Sequence, residues 1–304
     1  MSPVGRSKIL ASQTPRTTVC LALLPLVAVT ILASACGGSV GGGGDIDHAT
    51  GSADVVIRVE SGGGFIPVDF SLTELPEFTL YGDGTVIVEG PMIEIWPQPA
   101  MPNLQQASIS EEVIQKVLTA ADAAGLFADD VDYGIPSVAD ASTTTITVNA
   151  DGQTYTSSIY ALGIAYGDGF ALDAAEMGLT SEQAQLRQDV MDFTISVGDL
   201  ETFISDQLDW QQYSFTALAV FSLPYDERAP YDPEIPPNHL DWPLSDLSTG
   251  GEAVQPEGYR RVVVTGADLD TLRPLLAEAT RITLWKSGSA EYYLYFRPLL
   301  PDEI

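Results

Sequence analysis

The chain has 304 residues, with 42 acidic side chains against 13 basic ones and a formal charge of −29. Neutralising phosphates needs a basic stripe, so this balance excludes nucleic acid as a partner and disfavours anionic lipid headgroups at the protein surface. Two cysteines, Cys20 and Cys36, and two histidines, His48 and His239, leave little material for thiol, zinc–thiolate or histidine-based chemistry.

The first element is a leader. Arg6, Lys8 and Arg16 precede an apolar run from Val19 to Ala35. A membrane-spanning helix needs about 20 predominantly apolar residues. This run is shorter, contains Pro25 and ends in small residues, which is the pattern of a cleaved signal. Leu32-Ala33-Ser34-Ala35-Cys36 resembles the bacterial lipobox. Ser34, Ala35 and Cys36 match it, whereas Ala33 stands where that motif most often has Leu, Val or Ile. The resemblance implies export, cleavage before Cys36 and a diacylglyceryl thioether on its sulfur. Ordinary secretion after Ala33-Ser34-Ala35 and an uncleaved anchor are the alternatives. Each buried methylene of a lipid chain is worth about 0.8 kcal/mol, so two chains hold durably where one does not. The glycine tract through Gly44 reads as a flexible tether.

The expected organisation is therefore a lipoprotein signal peptide at 1–35, a glycine-rich tether at 36–54, an N-terminal α+β lobe at 55–178, and a linking helix with a C-terminal α+β lobe at 179–304. Loss of the leader removes three basic residues and no acidic ones, taking the charge to −32. It also removes Cys20 and commits Cys36 to lipid, so no disulfide is available and packing alone must hold the body. The acidic surface keeps the body soluble and also fits a saline habitat.

In the N-terminal lobe Val55 to Val59 is an apolar strand, turned by Ser61-Gly62-Gly63-Gly64 toward Phe65 and Ile66. Phe78 to Tyr81 and Thr85 to Val88 flank Gly82-Asp83-Gly84, a strong hairpin signal. Pro97, Pro99 and Pro102 end that region. Ser108-Ile109-Ser110-Glu111 fits a capping box for a helix whose apolar face is Val113, Ile114, Val117, Leu118 and Ala121. Gly125 is placed as its left-handed terminator, with Leu126 closing the hydrophobic contact. A second hairpin joins Thr144–Val148 to Tyr155–Leu162.

Thr180-Ser181-Glu182-Gln183 caps a long helix with Leu186, Val190, Phe193, Val197, Leu200 and Ile204 on one face and Gly198 as a weak point. Tyr213 to Leu223 reads as a strand, and Pro224 to Pro243 as an irregular proline-dense loop. Arg260–Val264, a helix begun at Thr265-Gly266-Ala267-Asp268 and interrupted by Pro274, and a hairpin across Ser287-Gly288 follow. Strand, helix and hairpin thus recur in both halves without sequence identity. The fold class expected is α+β, with antiparallel sheets each covered by a helix in two similar lobes joined by a long helix.

No segment carries a catalytic or cofactor signature: there is no G-x-S-x-G elbow, H-E-x-x-H, P-loop or dinucleotide fingerprint. His48 falls in the tether and His239 in the proline loop. Asp129-Asp130-Val131-Asp132-Tyr133-Gly134 has some calcium-loop character, but its glycine is one place early and the twelfth ligand is missing. No metal, cofactor or catalytic residue is therefore expected. Two Trp-Pro steps, Trp96-Pro97 and Trp242-Pro243, stand out, the second with Tyr225 and Tyr231 nearby in sequence. Aromatics on rigid loops suit partner binding, and the competing role for each is to seal the core.

Phe78-Thr79-Leu80-Tyr81-Gly82-Asp83-Gly84, Ala124-Gly125-Leu126-Phe127, Asp241-Trp242-Pro243-Leu244 and the terminal Arg297-Pro298-Leu299-Leu300-Pro301-Asp302-Glu303 are similar to segments of uncharacterised lipoproteins from high-GC Gram-positive bacteria. The resemblance implies location and lineage and carries no activity. The expectation is a non-enzymatic protein held to the outer face of the cell membrane by the lipid on Cys36, with Trp96 and Trp242 as candidates for contacting an envelope protein or cell-wall component. The alternative is an acid-dependent hydrolase of envelope glycans that works through unidentified carboxylates.

Overall fold

Alternating apolar and polar residues build some strands, and continuous apolar runs build others, in the computed structural model, which describes residues 45–163, 174–226 and 234–304. The leader, Cys36, the tether through Gly44 and Tyr231 lie outside the described residues. Gly44–Ile304 forms one compact unit. In chain order the first half runs β1 (Val55–Gly62), α1 (Val68–Thr73), β2 (Phe78–Tyr81), β3 (Thr85–Glu89), β4 (Leu104–Ser108), α2 (Glu111–Ala123), β5 (Thr143–Ala150) and β6 (Gln153–Tyr160). Next come α3 (Ser181–Gly198), α4 (Leu200–Ile204), β7 (Gln211–Gln212) and β8 (Ala217–Pro224). The rest is β9 (His239–Asp241), β10 (Glu252–Val254), β11 (Tyr259–Thr265), α5 (Gly266–Glu278), β12 (Leu284–Ser287), β13 (Ala290–Pro298) and a closing 3₁₀ turn, Pro301–Glu303.

The architecture is mixed α+β with two antiparallel-rich sheets. The first has the order β6-β5-β1-β2-β3-β4-β7 and the second β10-β11-β8-β13-β12-β9, whose β9–β12 pair is parallel. β5 and β13 alternate buried and half-buried residues, as strands covered mainly on one face do. β2 and most of β8 are buried throughout because both faces are covered.

One face of the first sheet packs Ile57, Leu80, Val86 and Ile146 against Val117 and Leu118 of α2 and Val190, Phe193 and Val197 of α3. The long helix thus lies on the first sheet. Arg187, fully buried on α3, donates to the carbonyls of Tyr133, Tyr160 and Ala161 on that same side. The second sheet packs Leu218, Val220, Trp285 and Phe296 against Leu269, Leu272 and Leu276 of α5.

The two sheets are joined through their other faces by α1 and the last residues of the chain. Leu300 enters a cluster with Leu75, Tyr81 and Leu104, while the adjacent Leu299 packs with Ala217, Phe221 and Leu72. Asp302 Oδ1 accepts from Arg58 Nη2 and from the Tyr81 hydroxyl, both at 2.7 Å. Arg297 pairs with both carboxylate oxygens of Glu303 at 3.0 and 2.8 Å and donates to the Glu74 carbonyl. Tyr213 closes the clasp by donating to the Leu299 carbonyl.

Local signals hold where backbone geometry decided them. Thr180 and Gln183 form a complete capping box. Gly125 has φ +76°, its N–H reaches the Asp122 carbonyl and that of Leu126 the Ala121 carbonyl, so the predicted left-handed stop is a Schellman motif. Asp151 and Gly152 both take positive φ in the β5–β6 turn.

Other expectations fail. The cap of α2 is Ser110, without a side-chain bond, and Thr265 likewise makes no side-chain cap for α5. Residues 45–54, expected to continue the tether, are bound to the body. Ile46 exchanges two bonds with the Gln115 side chain, and the Asp47 and Asp54 carbonyls accept from Asp151 and Gly82. β9 is a strand inside the supposedly irregular proline loop.

The repeated order of elements also has a limit. Each sheet has a central strand, β1 or β8, with a hairpin on either side. In the first sheet the leading strand of each hairpin lies against the centre; in the second it is the trailing strand. The element grammar recurs, but the pairing order is inverted.

Candidate functional site

The two Trp-Pro steps separate completely. Trp242 is 7% exposed, stacks edge-on with Trp285 at 6.0 Å and donates its indole N–H to the Ser245 carbonyl. It is part of the second core. Trp96 is 61% exposed on the loop between β3 and β4. Tyr225 packs edge-on against Tyr293.

Trp96 has company. Phe65, Ile66, Val68 and Phe70 on one segment, and Met92, Ile93, Ile95 and Trp96 on another, make up eight of the twelve exposed large apolar side chains among the described residues. Scattered single apolar residues are ordinary on a surface, whereas clustering on two segments is not. Ile66, Phe70 and Met92 line one cleft of about 550 Å³.

The first segment leaves β1 through consecutive glycines with positive φ. A Cβ on Gly64 would meet the Asp140 carbonyl oxygen at 2.9 Å, so a side chain there would block the passage. The turn presents Phe65 to solvent at 90% exposure while its N–H holds to Asp140. α1 follows, burying none of its residues fully, and Phe70 lies under the Arg281 guanidinium at 4.3 Å. The second segment leaves β3 at Glu89. It is fastened by Asn103 Nδ2 to the Pro91 carbonyl, and further on by Arg281 N–H to the Gln98 carbonyl and Ala100 N–H to that of Ala279. Leu294, Tyr295 and Phe296 of β13 also line the cleft.

Carboxylates edge this apolar floor: Glu74, Glu77 and Glu89 line the cleft, and Arg281 is the one basic residue lining it among the described residues. A second cleft of about 470 Å³, which adds Glu60 and Arg297, shares Ser61, Glu74 and Leu75 with the first, so the two form one trough. Burial, then the charges of Glu60 and Glu77, hold the Glu74 carboxyl above its ordinary range. Glu89 is exposed by area, yet the cleft walls withdraw enough water to raise its carboxyl, with Glu77 adding and Arg281 opposing. Burial foremost and then Asp69 push up the hydroxyl of Tyr295, which also lines the cleft.

The other polar candidates are structural. His48 bridges Glu111 and the Ala49 carbonyl beside α2, and His239 contacts Glu291 on the second sheet. Asp132 accepts from Gly134 N–H and from Gln183 Nε2, so both its oxygens serve the loop and the α3 cap. No group of three or more His, Cys, Asp or Glu residues arranged to hold a metal ion occurs among the described residues. Sequence reasoning missed the glutamate trough because Glu60, Glu74, Glu77 and Glu89 carry no motif. The available signal was the glycine run opening onto Phe65 and Ile66.

No protein-family model, curated protein or solved structure matches this chain.

Proposed function

We propose that this protein is a lipid-anchored protein of the cell envelope that binds a partner and catalyses no reaction, and that it belongs with uncharacterised lipoproteins of high-GC Gram-positive bacteria. The signal-like leader ending in Cys36 supports the anchoring. The observation that carries the binding role is the concentration of exposed apolar side chains on the two segments around the trough. In the same reading the two sheet-and-helix halves are related lobes, which their common order of elements supports; the chain crosses from the first to the second between β7 and β8, after α3 has packed on the first.

The anchoring is tested by metabolic labelling with a fatty-acid analogue, which Cys36→Ser should abolish. Label persisting in that variant refutes it. The binding role is tested in cells with a photo-crosslinking residue at position 96. It should trap a discrete envelope component that the same residue at Glu182, on the exposed start of α3, does not.

The carboxylates favour one second reading, hydrolysis of envelope glycans with Glu74 or Glu89 as general acid. A carboxyl raised by burial in a cleft is the form such a step needs. Turnover of a glycan panel that is lost in Glu74→Gln or Glu89→Gln would establish it and displace the binding role.

A further inference from the structure

Whatever docks in the apolar trough must tolerate its charge. Its first cleft sets Glu74, Glu77 and Glu89 against Arg281, and Arg281 is already stacked on Phe70. The second adds Glu60 and Arg297, and Arg297 is already bonded to Glu303. Glu303 offsets the Arg297 charge, and stacking leaves that of Arg281 in place, so Glu60, Glu74, Glu77 and Glu89 face one uncompensated cation and the net charge facing an occupant is negative. An acidic or purely apolar occupant would bury these carboxylates without compensation, at a cost that charged groups impose when desolvated alone. A cationic group flanked by apolar side chains would meet both requirements, with its charge against the glutamates and its apolar neighbours against Ile66, Phe70 and Met92.

The route of the chain argues against the bilayer as that occupant. Residues 45–54 are fastened at the end of the first sheet that holds the turns after β2 and β5, through Asp54 to Gly82 and Asp47 to Asp151. The trough lies at the other end, beyond Gly62 of β1 and at Glu89 of β3. The eight residues of β1 separate these ends by about 25 Å. On the tether reading, nine flexible residues from Cys36 to Gly44 would reach about 15–18 Å on average. On the lipoprotein reading this average reach, shorter than the sheet, favours the apolar end lying away from the membrane, and a surface of formal charge −32 also repels anionic lipid.

We propose that this trough is a docking site for a cationic amphipathic segment of a partner protein, lysine or arginine alternating with aliphatic side chains. The proposal rests on the binding role above and specifies its partner. The glutamates supply the attraction and on-rate, and the apolar rim supplies the contact that distinguishes such a segment from a merely basic one.

The test uses the full chain in phosphatidylcholine nanodiscs and a fluorescein-labelled heptapeptide of alternating Lys and Leu, followed by anisotropy with empty nanodiscs as the blank. Glu74→Gln combined with Glu89→Gln should weaken binding about tenfold, as should Phe70→Ser; circular dichroism checks that each variant is folded. Glu112→Gln combined with Glu182→Gln removes as much charge from exposed sites on α2 and α3 and should leave binding unchanged. Replacing Leu by Ser in the peptide should weaken it about tenfold, and replacing Lys by Glu should abolish it. Equal loss in the two glutamine pairs, or equal binding of the Ser peptide, would reduce the effect to general charge and overturn the proposal. A blue shift of tryptophan emission on free phosphatidylcholine vesicles that Trp96→Ala removes would make the bilayer the occupant. A dimer dissolved by Phe70→Ser would make it a second copy, and either result overturns the proposal. A crosslink at position 96 without peptide binding would overturn this inference alone, whereas loss of both would remove the binding role with it.

Discussion

Removing the Asp302 carboxylate should loosen the whole body, because one oxygen there ties the end of the chain to the first sheet. Asp302 Oδ1 receives Arg58 Nη2 and the Tyr81 hydroxyl at 2.7 Å each, and the Arg58 and Asp302 side chains are only 17% and 20% exposed. Hydrogen bonds to charged groups contribute about 1.5–3 kcal/mol each. Asp302→Ala breaks two, leaves a half-buried guanidinium without its anion, and frees the turn that seats Leu299 and Leu300. Residual solvent access lowers the sum, so the expected loss is about 2–4 kcal/mol. At this chain length that is a fall in Tm of roughly 5–12 °C. Tyr81→Phe removes one of the two bonds and should cost about 1–1.5 kcal/mol. Urea unfolding of the two single variants and the double variant measures the coupling, expected near 1 kcal/mol. If Asp302→Ala unfolds within 0.5 kcal/mol of the parent with an unchanged m-value, the clasp does not hold the sheets together and the reasoning fails.

Acid titration separates two opposite contributions. The bonds from Arg58 and Tyr81 outweigh burial and hold the Asp302 carboxyl below its ordinary value. Its stabilisation is therefore present above about pH 4 and is lost as pH falls through the lower folded value. Asp302→Asn should flatten that acid limb in pH-dependent urea midpoints. Glu74 and Glu89 have the other sign: raised carboxyls destabilise the charged body at neutral pH, and that penalty disappears as pH falls through their folded values. Glu74→Gln or Glu89→Gln should then raise stability at pH 7 by a few tenths of a kcal/mol, a gain absent at pH 4. Trp242→Ala should cost about 3–5 kcal/mol and Trp96→Ala less than 0.5 by the same assay; equal effects would contradict their burial. Arg187→Met strips a charged donor from three carbonyls and should cost about 3 kcal/mol, visible as a shifted midpoint in thermal melts.

What was legible in the sequence had its causes within a few residues. A left-handed backbone position at Gly125, a reciprocal cap between Thr180 and Gln183, and a two-residue turn at Asp151-Gly152 each depend on local chemistry. Two of the strands that escaped notice, β7 and β9, are defined by distant partners. β7 is two glutamines paired with β4 more than 100 residues earlier, and β9 exists because it lies parallel to β12. No periodicity in two or three residues can announce such pairings. The two Trp-Pro steps show the same limit: Trp242 follows β9, which delivers it to Trp285, whereas Trp96 follows a segment with no strand to carry it inward.

The sequence by itself determined the acidic charge, the signal-like leader, the scarcity of cysteine and the local grammar of hairpins and helices. These follow from composition and short-range sterics, which need no partner. Tertiary structure alone decided that the final residues clasp the two sheets, that α3 belongs to the first, and that Glu60, Glu74, Glu77 and Glu89 share one trough with the exposed apolar segments. Those outcomes depend on which surfaces bury one another and on charges brought together across the fold. Side chains far apart along the chain acquire their energies only when packing sets the distance and the water between them.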